Sequence, residues 1–224
     1  MRGAISDSHL ALIAQSFGCA EETARAIALQ THARHYPAHC VMIRAGDRDP
    51  DAWLMLSGEA HALAYGPGGH YLLVHRFVPG DMFGDAAGLS VAALGAEVTA
   101  VVDVDAGHLT VGVFVGLMER YSCVAISVAH ALTQRLDQTT RRMVEGATLS
   151  SPGRIHAEML RQARAGTAMT IRPMPSHAVF ALNVQTTRET VSRAISALEK
   201  RGIIRRDGDG LTVVAPHRLE ELIY

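Results

Sequence analysis

The chain has 224 residues, more than the common domain of roughly 100–200, so it holds one large domain or two smaller ones. An apolar content of 48% with 5% aromatics is ordinary for a globular protein, and no run reaches the roughly 18 uncharged apolar residues of a membrane helix. No export signal opens the chain, and Cys19, Cys40 and Cys123 are too few and scattered for a disulfide framework, which together place the protein in a reducing cytoplasm.

The net charge of −1 conceals an asymmetry. Residues 1–149 carry 10 Lys and Arg against 15 Asp and Glu, whereas residues 150–224 carry 11 against 7. An acidic body with a basic C-terminal piece is the pattern expected when one end meets phosphates.

From the N-terminus, Leu10, Ile13, Ala14 and Phe17 recur at helical spacing and Gly18 ends the segment; Glu21 and Glu22 open a second short helix through Ala28. From Pro37 to Thr110 the texture changes. Short apolar runs (Val41 to Ile43, Trp53 to Leu56, Tyr71 to Val74, Val98 to Val102) are separated by turn clusters such as Gly66-Pro67-Gly68-Gly69 and Pro79-Gly80-Asp81. That pattern predicts a β sandwich or barrel-like roll. His32, His35, His39 and Cys40 form the densest group of possible metal ligands, but Pro37 interrupts any shared helical face, so no metal is expected. Three separated thiols also cannot supply the four of an iron–sulfur cluster.

Residues 113–147 are predicted helical. Ala125, Ala129, Leu132, Leu136, Thr139 and Met143 alternate steps of four and three, a seam suited to a symmetric dimer helix. A hinge over 146–153 follows, then a helix capped by Ser151 with Pro152 in its first turn, running to Gly166 with Ile155, Met159, Leu160 and Ala163 on its apolar face.

The stretch 175–216 is the most informative. Ser176 caps a short helix, Val184-Gln185 turns, and Thr186 with Glu189 has the spacing of a capping box. Val191, Ala194, Ile195 and Leu198 then share one helical face; Arg188, Glu189, Ser192, Arg193 and Ser196 share the other. Helix, tight turn and a second helix with an arginine-bearing front make a helix-turn-helix. Arginine can donate to guanine O6 and N7, and glutamate can accept from cytosine N4. Thr186, Thr187 and Ser192 suit phosphate oxygens. Gly202 ends the helix, and Asp207-Gly208-Asp209-Gly210 turns a hairpin, a wing whose Arg205 and Arg206 reach toward a DNA backbone.

Thr186 to Arg193 followed by Leu198-Glu199-Lys200-Arg201-Gly202-Ile203-Ile204 resembles the reading-helix signature of the cyclic-AMP receptor protein/FNR family. Gly46-Asp47, Leu56-Ser57-Gly58 and Pro79 to Asp85 resemble its β-roll, and the resemblance spans about residues 10–220. It implies an α+β chain in three parts. These are a jelly-roll sensor with N-terminal helices over 1–112, a dimerisation helix and hinge over 113–148, and a winged helix-turn-helix over 149–224. It assigns base contact to Arg188, Glu189 and Arg193, with Gln185 standing where the family often has glycine. It further implies a homodimer on near-palindromic duplex DNA, with RNA polymerase as a partner. By the same resemblance the effector pocket would involve Gly84, Asp85, Thr99, Thr139 and Thr140. The family's phosphate-binding Arg-Ser/Thr pair falls at Val98-Thr99, so a cyclic nucleotide lacks its cation and no cofactor is assigned. The rival expectations are a member controlled by a protein partner and a metal-binding cupin-like enzyme. No His-x-His, Gly-x-Ser-x-Gly or phosphate-cradling glycine loop supports an enzyme.

Overall fold

A computed structural model describes residues 2–3, 7–47, 50–66, 71–86 and 95–224, and the turn expected at Pro67-Gly68-Gly69 lies outside them. The chain divides into two compact units, 1–136 and 137–224.

The first unit begins with β1 (Arg2–Gly3), α1 (Asp7–Phe17) and α2 (Glu21–Ala28). Gly18 breaks the pair at φ +55°, a left-handed conformation that costs glycine little. Then come β2 (His32–Tyr36), β3 (Val41–Ile43), β4 (Ala52–Ser57), β5 (Ala60–Tyr65), β6 (Tyr71–Phe77), β7 (Met82–Phe83), β8 (Ala96–Ala100) and β9 (Val104–Leu109). They form two antiparallel sheets ordered β1-β2-β9-β4-β7 and β3-β8-β5-β6. The roll expected from the short apolar runs is present, with further strands in β1, β2, β5, β7 and β9. The run expected over Val98 to Val102 is instead β8 two residues earlier, because Ala96, Val98 and Ala100 alternate inward while 101–103 turn into β9.

Strand β4 explains the layering. Its residues Ala52, Leu54 and Leu56 join a cluster with Ile13, Phe17, Ile27, Phe114, Leu117 and Val124, while Trp53 and Met55 join a second cluster between the sheets. A strand covered on both faces reads as a continuous apolar run, and 52–56 does. The inter-sheet core holds Phe77 and Phe83, with ring centroids 4.9 Å apart. Trp53 stacks on Phe83 at 6.1 Å, and an alanine wall (Ala60, Ala62, Ala96, Ala100) faces these rings.

The helical stretch expected over 113–147 is two helices: α3 (Val111–Arg120) and α4 (Ser122–Thr148), bent by 110° at Tyr121. Val124 and Val128 turn α4 onto its own roll. One step around the helix, Leu132, Leu136 and Met143 are 38%, 65% and 69% exposed, so the seam is an uncovered apolar stripe. No single helix among the described residues is long and apolar enough to cross a membrane.

The second unit contains the end of α4, α5 (Ser151–Ala165), β10 (Thr170–Ile171), α6 (His177–Asn183), α7 (Arg188–Lys200), β11 (Ile204–Asp207), β12 (Gly210–Val213) and α8 (Pro216–Glu220). The sheet runs β10-β12-β11, and one core joins Ile155, Met159, Phe180, Val191, Ile195, Leu198, Ile204 and Leu211. The cap of α5 is Ser150, not Ser151: its Oγ accepts from Gly153 N at 3.2 Å and Pro152 falls inside the first turn.

Candidate nucleic-acid interface

Helix α6 is capped by Ser176, whose Oγ accepts from Val179 N at 3.3 Å. Phe180, Ala181 and Val184 anchor it in the core. The chain then turns at Gln185 with φ +54°. Gln185 stands where the resembled family often has glycine, so the tight turn forms with a side chain in a left-handed conformation costing roughly 1–2 kcal/mol. Arg154 on α5 holds that turn. Its Nε donates to the Val184 carbonyl (2.9 Å) and Nη2 to the Gln185 carbonyl (3.0 Å), while Nη1 donates to the Leu149 carbonyl (3.1 Å). Nη2 also reaches Ser151 Oγ (3.3 Å). One guanidinium thereby ties the α4–α5 junction to the turn before α7. Arg154 was not singled out in the sequence because its partners are carbonyls 30 and 31 residues away, which leave no side-chain pattern.

Thr187, not Thr186, caps α7: its Oγ1 accepts from Thr190 N at 3.2 Å. The expected pairing of Thr186 with Glu189 gives way to Thr187 with Thr190, whose hydroxyls lie 3.0 Å apart. Glu189 stays in the first turn, fully exposed. Its own backbone N–H, then the Thr187 hydroxyl, then Arg188 and Arg193 hold the carboxyl below its usual range. It is therefore an ionised acceptor at neutral pH.

Val191, Ile195 and Leu198 are buried behind α7, while Arg188, Glu189, Arg193 and Ser196 are exposed and Ser192 is half-buried. Arg193 Nη2 donates to Thr190 Oγ1 at 3.4 Å, which aims it along the front of the helix. Thr186 is half-buried in the turn and Gln185 exposed. The hairpin β11–β12 pairs Asp207 with Gly210 across its turn, and Gly208 takes φ +58°. Arg205 and Arg206 are exposed on β11, and Arg206 Nε lies 3.4 Å from Glu199 Oε2. His177 belongs to the same electrostatic neighbourhood: burial, then Arg206 and Arg188, push its imidazole below the usual value. Arg188 at the front of α7 and Arg206 on the wing thus both act on the start of α6.

Of the residues expected in an effector pocket, Gly84, Asp85 and Thr99 belong to the first unit and Thr139 and Thr140 to the second. Gly84 is buried at φ +101°, and a Cβ there would lie 2.2 Å from the Asp51 carbonyl oxygen, so only glycine fits. Asp85 is half-buried beside it. Val98 points into the inter-sheet core, whereas Thr99 lies on the other face of β8, where its Oγ1 donates to Glu97 Oε1 at 3.4 Å. Thr139 and Thr140 are exposed on the part of α4 that belongs to the second unit. Between Arg76 and Arg120 the sequence has neither Lys nor Arg. Arg135 of α4 lies 5.5 Å from the Phe77 ring centroid and Arg34 of β2 lies 5.1 Å from the Trp53 ring centroid; burial lowers the Arg135 pKa and Asp81 is its opposing charge. Among the described residues no group of three His, Cys, Asp or Glu could hold a metal ion. His35 of the histidine-rich stretch instead lies 2.9 Å from Asp105.

Comparison with known proteins agrees with this architecture. Residues 33–121 match the cyclic nucleotide-binding domain family and residues 153–222 the Crp-like helix-turn-helix domain family. The chain is 26% identical over 191 residues to the cAMP-activated global transcriptional regulator Vfr of Pseudomonas aeruginosa, covering 81% of this chain and 89% of that one. It is also 26% identical over 191 residues to the cyclic AMP receptor protein of Thermus thermophilus, covering 85% and 88%. A solved structure of a CooA mutant from Carboxydothermus hydrogenoformans shares the fold with a TM-score of 0.78 at 15% identity, covering 98% of both chains.

Proposed function

Because the chain belongs to the cyclic-AMP receptor protein/FNR family of DNA-binding transcription regulators, we propose that it reads a near-palindromic duplex site as a homodimer, with α7 in the major groove. Family membership sets it among regulators and apart from metal-dependent barrel enzymes. The observation that carries the reading is the exposed Arg188, Glu189 and Arg193 front over the buried Val191, Ile195 and Leu198 back. Arg188 and Arg193 donate to guanine edges, Glu189 accepts from cytosine, and Thr186, Thr187, Ser192, Gln185, Arg205 and Arg206 meet the backbone. The division of labour is 1–112 for sensing, 113–148 for dimerisation through Ala125, Ala129, Leu132, Leu136 and Met143, and 149–224 for DNA. The protein works in the cytoplasm beside RNA polymerase.

For the sensor, we propose an effector other than an ordinary cyclic nucleotide, centred near Gly84 and Asp85. Support comes from the lack of any Lys or Arg over 77–119 and from the aromatic rings filling the inter-sheet core. A buried phosphate without a paired cation is costly. Selection of bound sequences from a random DNA pool, followed by Arg188→Ala on the selected site, tests the first reading. The variant should lose about 1–3 kcal/mol of affinity and its preference at one base position. An unchanged ratio of specific to scrambled DNA refutes the assignment. A thermal shift with cyclic AMP at millimolar concentration tests the second, and a saturable rise in Tm overturns it.

A further inference from the structure

Residues 137–148 of α4 belong to the second unit, with α5 and α7. Charged side chains join α4 to α5 there. Arg161 of α5 donates through Nη2 to Glu145 Oε1 of α4 at 2.5 Å, and through Nη1 to Glu158 Oε2 on its own helix. Gln162 Nε2 donates to Glu158 Oε1 at 2.6 Å. Arg142, half-buried and three residues before Glu145, completes the group. Burial pushes its guanidinium pKa down, and Glu158, Arg161 and Glu145 are the charges around it. The Glu145 and Glu158 side chains are only 21% and 15% exposed, so neither is an ordinary solvated surface charge. Arg154, Glu158 and Arg161 stand four and three residues apart, on one face of α5. Arg154 holds the turn before α7 through the Val184 and Gln185 carbonyls. Gly146 of α4 approaches the same turn: a Cβ on it would lie 4.0 Å from Gln185 Oε1. Ile155 and Met159 of α5 share a core with Val191 and Ile195 at the back of α7. Among the described residues no α4 side chain belongs to that core.

We propose that the Glu145–Arg161–Glu158 cluster is a joint that sets the angle of α5 to the end of α4 and, through Arg154, the pose of α7 on DNA, with Arg161 as its positioning residue. The proposal rests on the reading of α7 as the DNA-facing helix. The sequence places a hinge over 146–153, between α4 and α5. Arg161 braces that segment by gripping Glu145 before it, and Arg154 braces it by gripping the Leu149 carbonyl within it. A segment held at both points passes a movement of α4 on to α5, and the shared core passes it from α5 to α7. Removing one partner leaves the others half-buried and unpaired, so the joint loosens as a unit. A loosened joint misplaces α7 against base edges, while contacts to phosphate alone tolerate the shift.

Affinities of the full-length protein for its selected site and for random DNA, at one salt concentration, test this. Wild-type discrimination between the two DNAs is measured first, so a failure of α7 as the reading helix shows there and not only in the variants. Arg161→Gln, with native circular dichroism, should weaken specific binding about 2–30-fold and leave binding to random DNA within about 2-fold. Hydrogen exchange in this variant should quicken over 141–148 and over 183–187. Glu145→Gln, which spares the Arg161 contact with Glu158, should show the same pattern with a smaller loss. Glu145→Gln combined with Arg161→Gln should be no worse than Arg161→Gln alone, because both break one joint. Arg164→Gln removes the same charge from α5 but only the exposed Glu220 pair at 3.1 Å, and should keep the specific-to-random ratio of the wild type. A ratio unchanged by Arg161→Gln, losses that add in the double variant, or an equal fall with Arg164→Gln overturns the proposal.

Discussion

The DNA-facing unit and the roll carry their chemistry on opposite sides of their surfaces. In the second unit the core is generic apolar packing, while Arg188, Glu189, Arg193 and Arg205 stand outside it. In the first unit the outside carries ordinary ion pairs, such as Glu59 with Arg76 at 2.6 Å, and what distinguishes the molecule lies between the sheets among Trp53, Phe77 and Phe83. A surface that meets a polyanion must expose charge in a periodic stripe, and periodic stripes are visible in a sequence. An interior that meets a small molecule depends on volumes and on loop paths, which have no period.

The largest expected effect falls on the uncovered stripe of α4, which belongs to neither style of site. Leu132→Asp with Leu136→Asp should convert dimer to monomer in sedimentation and lower affinity for a two-half-site DNA by about 10²–10⁴-fold, the benefit of tethering two modules. A dimer that survives both charges places the interface elsewhere.

Next is Arg154→Ala, which removes donors from four oxygens at once. The second unit should lose about 2 kcal/mol, seen in thermal melts, and specific DNA binding should weaken while binding to random DNA persists. An equal loss for both DNAs would make Arg154 a stability residue only. Gln185→Gly tests the turn in the opposite direction. Relieving the left-handed side chain should stabilise the protein by about 1 kcal/mol without changing the selected sequence.

The smallest effect belongs to the roll. The Arg76 pair, and after it His61, hold the Glu59 carboxyl below its usual range. A depressed carboxylate contributes stability above its unfolded pKa and loses it as pH falls through the lower folded value. Glu59→Gln should therefore flatten the acid limb of the stability profile, by about 1 kcal/mol or less given the partial exposure of the pair. An unchanged acid limb would show the pair contributes nothing.

Reading α7 from the sequence succeeded for the reason just given, yet its cap and that of α5 were displaced by one residue, whereas Ser176 caps α6 as expected. Ser150 and Ser151, like Thr186 and Thr187, are adjacent hydroxyls, and side-chain chemistry alone does not choose between neighbours; backbone dihedrals do. Strands β2, β5 and β9 escaped notice because alanine, histidine and glycine carry their inward positions, as with Ala33, Ala60, Ala62 and Gly107. Thr99 and Val98 fall on opposite faces of β8, an alternation that neighbouring positions in a sequence motif do not show. The bend at Tyr121 leaves no proline or glycine to mark it.

Strand β4 has two audiences. Trp53 and Met55 speak to the space between the sheets, and Leu54 and Leu56 to the helices that include the root of α4. Close-packed interiors transmit displacement instead of absorbing it. A displacement of the Trp53 ring must also move the bed on which Val124 rests, so this strand of the roll doubles as a lever.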